Sequence, residues 1–229
     1  MARRLPFVWI VLFGFLGLQI GYSGVLLPLR PAFEEIPFPL SDVGLKGIAL
    51  GDEQFLFRFL ARWLQDVGDG GGRLRPLRDY DYDRVVGWLK SLDRLDDQSE
   101  YGHELAARYF GALTDPTGGP VRVGKIAAYF RELALADPAR HWRWLVWAAT
   151  RAHRFVKDRD LSERIANDLI GLRDNDQVPV WLPLLASPLY RFAGDLKAAQ
   201  ALESDPTMIE RRRQGLNELG RSLGRPELP

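Results

Sequence analysis

The sequence predicts an all-α protein, in which one N-terminal transmembrane helix is followed by an array of antiparallel helical hairpins. Three observations lead to this fold class. An uncharged apolar run occupies residues 5–29, apolar residues recur at helical spacing from about residue 51 onward, and a group of residues recurs later in the chain at a constant offset. No convincing alternation of apolar and polar residues predicts a β-strand.

The first predicted element is the run LPFVWIVLFGFLGLQIGYSGVLLPL, residues 5–29. Twenty-five helical residues reach about 37 Å, whereas the hydrocarbon core of a bilayer is about 30 Å thick. A cleaved signal peptide is one alternative, because Arg3 and Arg4 supply a basic start, but the apolar stretch is long and residues 21–24 form a poor cleavage region. A buried core helix is the other alternative. We predict an uncleaved anchor over residues 1–29.

Two features of this run bear on its contacts and orientation. Small residues recur within it, at Gly14, Gly17, Gly21 and Gly24. This spacing favours close approach of two membrane helices, although glycine is also common in such helices generally. Arg3 and Arg4 precede the run, and the positive-inside bias therefore predicts a cytoplasmic N-terminus. The expected location is single-pass in the inner (plasma) membrane, with the domain on the outer or periplasmic side.

Residues 30–50 are predicted to form an extended spacer between the anchor and the domain. They contain the prolines Pro31, Pro37 and Pro39. The helical-repeat domain is predicted over residues 51–224, followed by a tail over residues 225–229. A domain of this length can bury a substantial core. The net charge of +1 argues against a dedicated nucleic-acid binder.

The helices of the domain are predicted from capping residues and helix breakers. Asp52 caps the first, with Phe55, Phe59, Leu60, Trp63 and Leu64 on its inward face, and Asp81 or Asp83 caps the second. The glycine-rich residues 68–72 predict a mobile loop rather than a phosphate cradle, since no G-K-[ST] follows. Later helices are predicted over 99–113, 121–136, 142–157, 160–172, from 179 onward, 196–202 and 207–223.

The internal repeat lies in the C-terminal half of the chain. Ala152, Phe155, Asp160, Leu161 and Ala166 recur 35 positions later as Ser187, Tyr190, Asp195, Leu196 and Ala201. A small residue followed by an aromatic one lets two helices of a hairpin approach, and a period of this size is typical of helical solenoids. Residues 144–203 resemble about two units of the tetratricopeptide-repeat family, with Ala199 at the small position of a second helix and Arg164 departing from it. The resemblance implies a curved helical array that binds partners, usually without catalysis.

Catalytic and metal-binding patterns are weak in this sequence. The three histidines, His103, His141 and His153, show no metal-ligand spacing, no cysteine is present, and no serine lies in a G-x-S-x-G turn. Asp79, Asp81 and Asp83 alternate as a calcium loop begins, but Arg84 and Lys90 stand where such a loop needs Gly and Glu. The three aspartates therefore predict a helix start, with a weak cation or partner site as the alternative. No catalytic residue, metal or cofactor is expected.

The candidate partner-binding residues are basic and aromatic. Trp142 lies off the inward stripe of its helix, and with Arg140 and Arg143 it is expected to rim a groove; Arg73, Arg75 and Arg78 are expected to meet an anionic group or the membrane face. We therefore predict a membrane-anchored adaptor that binds other proteins of an envelope complex. The alternatives are an envelope enzyme or carbohydrate-handling module that uses Asp79, Asp81, Asp83 and Trp142, and a subunit that self-associates through the glycines of the span.

Overall fold

The computed structural model of the chain describes residues 5–26, 36–67, 69–70, 73–74 and 76–222. Its α-helices are α1 (Leu5–Leu26), α2 (Asp42–Ala49), α3 (Glu53–Asp66), α4 (Tyr82–Leu95), α5 (Tyr101–Arg108), α6 (Gly119–Ala136), α7 (Pro138–Arg151), α8 (Arg159–Gly171), α9 (Ala186–Ala193), α10 (Leu196–Ser204) and α11 (Pro206–Ser222). Two short strands, β1 (Asp69–Gly70) and β2 (Arg73–Leu74), pair antiparallel. The prediction of a helical fold is confirmed, and the tiny hairpin overlaps the predicted loop over residues 68–72.

Aspartate side chains begin many of these helices. The Asp52 carboxylate accepts the backbone N–H of Phe55 at 2.8 Å, and Asp81 accepts those of Asp83 and Arg84. Asp137 caps α7 in the same way, directly after α6 ends at Ala136. Each such cap satisfies a backbone donor that the helix itself cannot pair.

The predicted extended spacer is wrong for residues 42–49, which form α2. The Ser41 hydroxyl accepts the N–H of Gly44 at 3.2 Å and so caps this helix. The residues before it pack on α4, because the carbonyl of Pro37 accepts the indole N–H of Trp88 at 2.9 Å and Ile36 is 3% exposed. The folded domain therefore begins at or before Ile36, while residues 30–35 lie outside the described part of the chain.

The centre of the fold is the hairpin of α6 and α7. These two long helices are joined by Asp137 alone, so they turn back on each other and pack along their length. Phe130 stacks on Trp144 with ring centroids 4.8 Å apart, and its edge meets Trp147 at 5.0 Å. Helices α4, α5 and α8 surround this pair, and one continuous core extends from Ile36 to Ala199.

The C-terminal helices pack in chain order, α8 on α9, α9 on α10 and α10 on α11. The sequence repeat marks equivalent positions in these helices only in part, since Ala152 and its counterpart Ser187 are both buried but other pairs differ. Leu161 is 3% exposed, whereas its counterpart Leu196 is 55% exposed. The aspartates that cap α8 and α10 are Asp158 and Asp195, two residues away from the spacing of the repeat. The match between the repeat and the hairpins is therefore approximate.

Two predicted helices have different boundaries in the structure. The helix predicted over residues 142–157 begins earlier, at Pro138, and its last turn is a π-helical segment, Ala152–Val156. The helix predicted from Pro179 begins instead with a 3-10 turn, Leu182–Leu185, and continues as α9. Helix ends are set by side-chain and backbone hydrogen bonds that hydrophobic periodicity does not report.

Helix α1 presents exposed side chains at every position whose exposure the structure describes, which are Trp9 and residues 12–22. Among the residues that the structure describes, no helix is both long enough and apolar enough to cross a bilayer.

Candidate functional site

A cluster of polar side chains lies inside the core where α4, α5, α6 and α7 meet. His103 on α5 is 2% exposed and His141 on α7 is 4% exposed, and their rings meet edge to face with centroids 5.0 Å apart. Histidines buried to this extent need hydrogen-bond partners or another ligand, since an unpaired buried polar atom is costly. We call these two residues and the polar groups around them the histidine cluster.

Two carboxylates flank the His103 ring. Asp93 on α4 places Oδ1 3.1 Å from His103 Nε2, and its Oδ2 accepts the hydroxyl of Tyr129 at 2.7 Å. Glu100, just before α5, places Oε2 3.6 Å from His103 Nδ1. The same oxygen accepts the indole N–H of Trp144 at 3.1 Å. Asp93 and Glu100 therefore bracket the imidazole, one at each ring nitrogen.

One nitrogen of each buried ring remains without a hydrogen bond. Nδ1 of His103 and Nδ1 of His141 are both buried, and neither has a hydrogen-bond partner among the described residues. In the neutral tautomer of His103 whose Nε2–H donates a hydrogen bond to Asp93, the Nδ1 atom of the ring carries a lone pair. Burial lowers the pKa of His141, and the neighbouring His103 and Arg140 lower it further. The lowered pKa of His141 favours its neutral form, in which one ring nitrogen offers a lone pair.

The cluster brings together a donor set that metal ions use. The ligand atoms of Glu100, His103 and His141 all lie within 4.8 Å of one another. Two imidazole nitrogens and a carboxylate oxygen are the protein ligands of many zinc sites. Residue spacing does not predict this set, because the two histidines stand 38 positions apart on different helices. A usable signal was present, since His141, Trp144 and Ala148 share one inward stripe of α7.

Two of the three aspartates of the proposed alternative enzyme site, Asp81 and Asp83, lie at the start of α4. Asp81 caps this helix, and Asp83 pairs with Lys125 on α6 at 2.6 Å. Asp79 lies 3.9 Å from Arg78. The predicted role at a helix start is confirmed for Asp81 and Asp83, whereas Asp79 ends a separate 3-10 turn, Leu77–Asp79. Trp142 contacts a different region, since its ring meets Trp181 edge to face at 5.6 Å.

The basic residues predicted to bind partners are placed as follows. Arg140 donates to the carbonyl of Asp97, and Arg143 lies 3.8 Å from Oε1 of Glu100, so both side chains of the predicted groove rim are engaged beside the histidine cluster. Arg78 is exposed. Arg73 lies in β2 but its side chain falls outside the description, as does all of Arg75.

The glycines of the predicted span are open in the structure. A methyl group built on Gly14, Gly17 or Gly21 would meet no atom within 4 Å. Gly24 belongs to α1, but its surroundings are outside the described part of the helix. A close contact of this face with a second helix is therefore sterically open at the first three positions.

Five large apolar side chains on α2, on α3 and in the turn between them are exposed. Phe55 and Phe59 were predicted to face inward, but they are 67% and 57% exposed, since the inward stripe of α3 consists of Leu56, Phe57, Leu60, Ala61 and Leu64. The neighbouring Val43, Ile48 and Leu50 are 82%, 55% and 90% exposed. We call these five outward residues the α2–α3 apolar face. Sets of exposed apolar side chains of this kind are typical of interaction sites.

Comparison with known proteins gives no relative for this chain. No protein-family model, no curated protein and no solved structure matches it.

Proposed function

We propose that this protein is a membrane-anchored helical adaptor, an accessory subunit that binds other proteins of an envelope complex. The observation that carries the proposal is the α2–α3 apolar face. Its Val43 and Leu50 side chains are more than four-fifths exposed, at 82% and 90%, and contribute little to the core of their own domain. An apolar surface that a fold leaves open gains free energy only when a partner covers it.

The anchor is supported by the sequence. Residues 5–29 form an uncharged apolar run, and two arginines precede it. We place the chain as a single-pass protein of the inner (plasma) membrane, with its N-terminus in the cytoplasm and its domain on the outer or periplasmic side. Tethering confines the α2–α3 apolar face near the bilayer, which raises its effective concentration toward a partner in the same membrane.

The helical-repeat character of the scaffold belongs to the same proposal. Consecutive helices from α6 to α11 pack on their neighbours, and all but α8 and α9, which residues 172–185 separate, are joined by short connections; this arrangement supports a tetratricopeptide-like array. Such arrays present extended surfaces to protein partners. Stacked hairpins would hold the α2–α3 apolar face at one end of a rigid body.

Site-specific photo-crosslinking in intact membranes tests the adaptor role. A photoreactive amino acid at Phe59 is expected to give one reproducible crosslinked protein, whereas the same group at Val121, which is 67% exposed on α6, is expected to give none. The double substitution Phe55→Ser and Phe59→Ser should remove the crosslinked partner from gentle detergent co-purification. A chain that stays monomeric, with no product specific to position 59, would contradict the proposal.

Self-association through α1 is a second candidate, supported by the open surface at Gly14, Gly17 and Gly21. Replacing Gly17 and Gly21 with leucine should reduce the oligomer size in detergent. Since a side chain at either position meets no atom of the same chain within 4 Å, the substitution reports on contacts between chains. An unchanged size would remove this candidate.

A further inference from the structure

The geometry points to a binding site for one divalent transition-metal ion of the zinc type, with His103, His141 and Glu100 as its ligands. The site lies inside the core, between α5 and α7, and it does not depend on the proposed adaptor role. The ion would bind to one ring nitrogen of each histidine, Nδ1 in His103, and to a carboxylate oxygen of Glu100. A metal ion held there would tie the start of α5 to α7.

The first argument concerns the two unpaired nitrogens. His103 and His141 are each more than nine-tenths buried, and the Nδ1 atom of each ring has no hydrogen-bond partner in the part of the chain that the structure describes. His153 also has an unpaired Nδ1, but among the described residues it is only half-buried and belongs to no group of possible metal ligands, whereas an unpaired nitrogen in a fully buried ring is costly. A single ion between the rings of His103 and His141 would satisfy the orphaned lone pair of His103 and would also bind a nitrogen of His141.

The second argument is distance. All ligand atoms of the three residues lie within 4.8 Å of one another, and His103 Nδ1 is 3.6 Å from Glu100 Oε2. In a tetrahedral zinc site with bonds of about 2.0–2.1 Å, ligand atoms stand about 3.3 Å apart. The cluster therefore reaches ligand spacing by movements of about 1 Å or less toward its centre, which side-chain rotation can supply.

The third argument concerns the groups behind the ligands. Metal-binding histidines usually donate their second ring N–H to a carboxylate, which fixes the tautomer and the ring orientation. Asp93 stands in this position, 3.1 Å from His103 Nε2, and Tyr129 in turn donates to Asp93 at 2.7 Å. Trp144 holds Glu100 through its indole N–H at 3.1 Å. The ligands are thus oriented by a second layer of hydrogen bonds.

The donor set selects the class of ion. Two imidazoles and one carboxylate suit zinc and its borderline neighbours, whereas calcium and magnesium prefer oxygen ligands throughout. Arg140 and Arg143 lie close by, with Arg143 3.8 Å from the second oxygen of Glu100. These two positive charges oppose a cation, so the site relies on direct coordination rather than on a negative field.

Metal analysis of the whole chain, purified in detergent, tests the site. After treatment with a chelator, the protein is dialysed against zinc chloride and the zinc retained per chain is measured. We expect one ion per chain in the wild type, and a loss of affinity of about tenfold or more in His103→Gln, His141→Gln and Glu100→Gln. His153→Gln is the matched control, because His153 packs on Phe192 away from the cluster and should leave zinc binding unchanged.

A second measurement keeps the test valid if a histidine variant unfolds. Glu100 is 43% exposed, so Glu100→Gln should fold. Zinc is expected to raise the Tm of the wild type and of His153→Gln. The rise in the Tm of Glu100→Gln should be much smaller. The proposal is overturned if the wild type retains no zinc, if the ligand variants bind as tightly as the wild type, or if His153→Gln loses zinc to the same extent. Co²⁺ in place of zinc should give the visible absorption of a tetrahedral ion only in the wild type and the control.

Discussion

In most proteins polar side chains lie on the surface and large apolar side chains lie in the core. The histidine cluster breaks this rule by burying polar groups, and the α2–α3 apolar face breaks it by exposing apolar groups. In the cluster, His103 and His141 are 2% and 4% exposed, while on the apolar face Phe55 and Phe59 are 67% and 57% exposed. Polar groups inside and large apolar groups outside are the informative exceptions to that rule. The comparison teaches that neither region is explained by the stability of the domain alone.

The two regions differ in their effect on the stability of the domain. A buried polar group without a partner is destabilising by about 1–3 kcal/mol, so every contact within the cluster matters to folding. An exposed phenylalanine merely fails to gain the free energy of burial, and its removal leaves the core intact. Variants in the cluster should therefore change stability, whereas variants on the apolar face should change association.

The largest effect is expected for Asp93→Ala in the histidine cluster. This change leaves His103 Nε2 and the hydroxyl of Tyr129 without their shared acceptor, at 3.1 and 2.7 Å in the native protein. Because two buried donors then lack a partner, we expect the free energy of unfolding to fall by about 3 kcal/mol. Urea denaturation measures this loss. Asp97→Ala is the control, because that side chain is 73% exposed and should cost less than about 0.5 kcal/mol. Equal losses in both variants would contradict the account of the cluster.

A smaller effect is expected where the segment before the apolar face packs on α4. A methyl group on Gly87 would lie 2.6 Å from Cγ of Pro39, so Gly87→Ala must displace a rigid ring. We expect a net loss of about 1 kcal/mol or more, since overpacking outweighs the helix propensity of alanine. Gly47→Ala in α2 is matched to it, because nothing lies within 4 Å there, and it should be stabilising by about 0.5–1 kcal/mol. If both variants respond alike, the contact of Pro39 with α4 does not form.

The features that the sequence predicted correctly are those that depend on local interactions, such as helix caps. Asp52 and Asp81 cap helices as expected, since a cap needs only its own first turn. The sequence did not predict α2, because its stability depends on Leu45 and Ala49 packing against the rest of the core. It also missed the pairing of His103 with His141, which depends on how α5 meets α7. Contacts between distant helices leave little trace in the spacing of residues along one helix.

A still smaller effect is expected at Glu203, a half-buried carboxylate that links α9 to α10. Arg191 and Ser187 hydrogen-bond to Glu203 and lower its pKa to about 2 from an ordinary value of 4.5. A lowered pKa in the folded state means that the stabilisation is complete above pH 4.5 and is lost as the pH falls toward 2. Urea midpoints of the wild type and Glu203→Gln should therefore converge over this range. A difference that stays constant with pH would show that Glu203 acts through packing rather than through its charge.

The smallest effect on stability is expected for the double variant Phe55→Ser and Phe59→Ser, which removes the aromatic part of the apolar face. Both side chains are more than half exposed, so the free energy of unfolding should change by less than about 0.5 kcal/mol. Leu56→Ala, one position along α3 but 4% exposed, should cost about 2–5 kcal/mol and provides the contrast. A serine pair as costly as Leu56→Ala would mean that the phenylalanines are packed within the domain. An unchanged stability together with a lost crosslink would show that these side chains serve association alone, the outcome that separates this region from the histidine cluster.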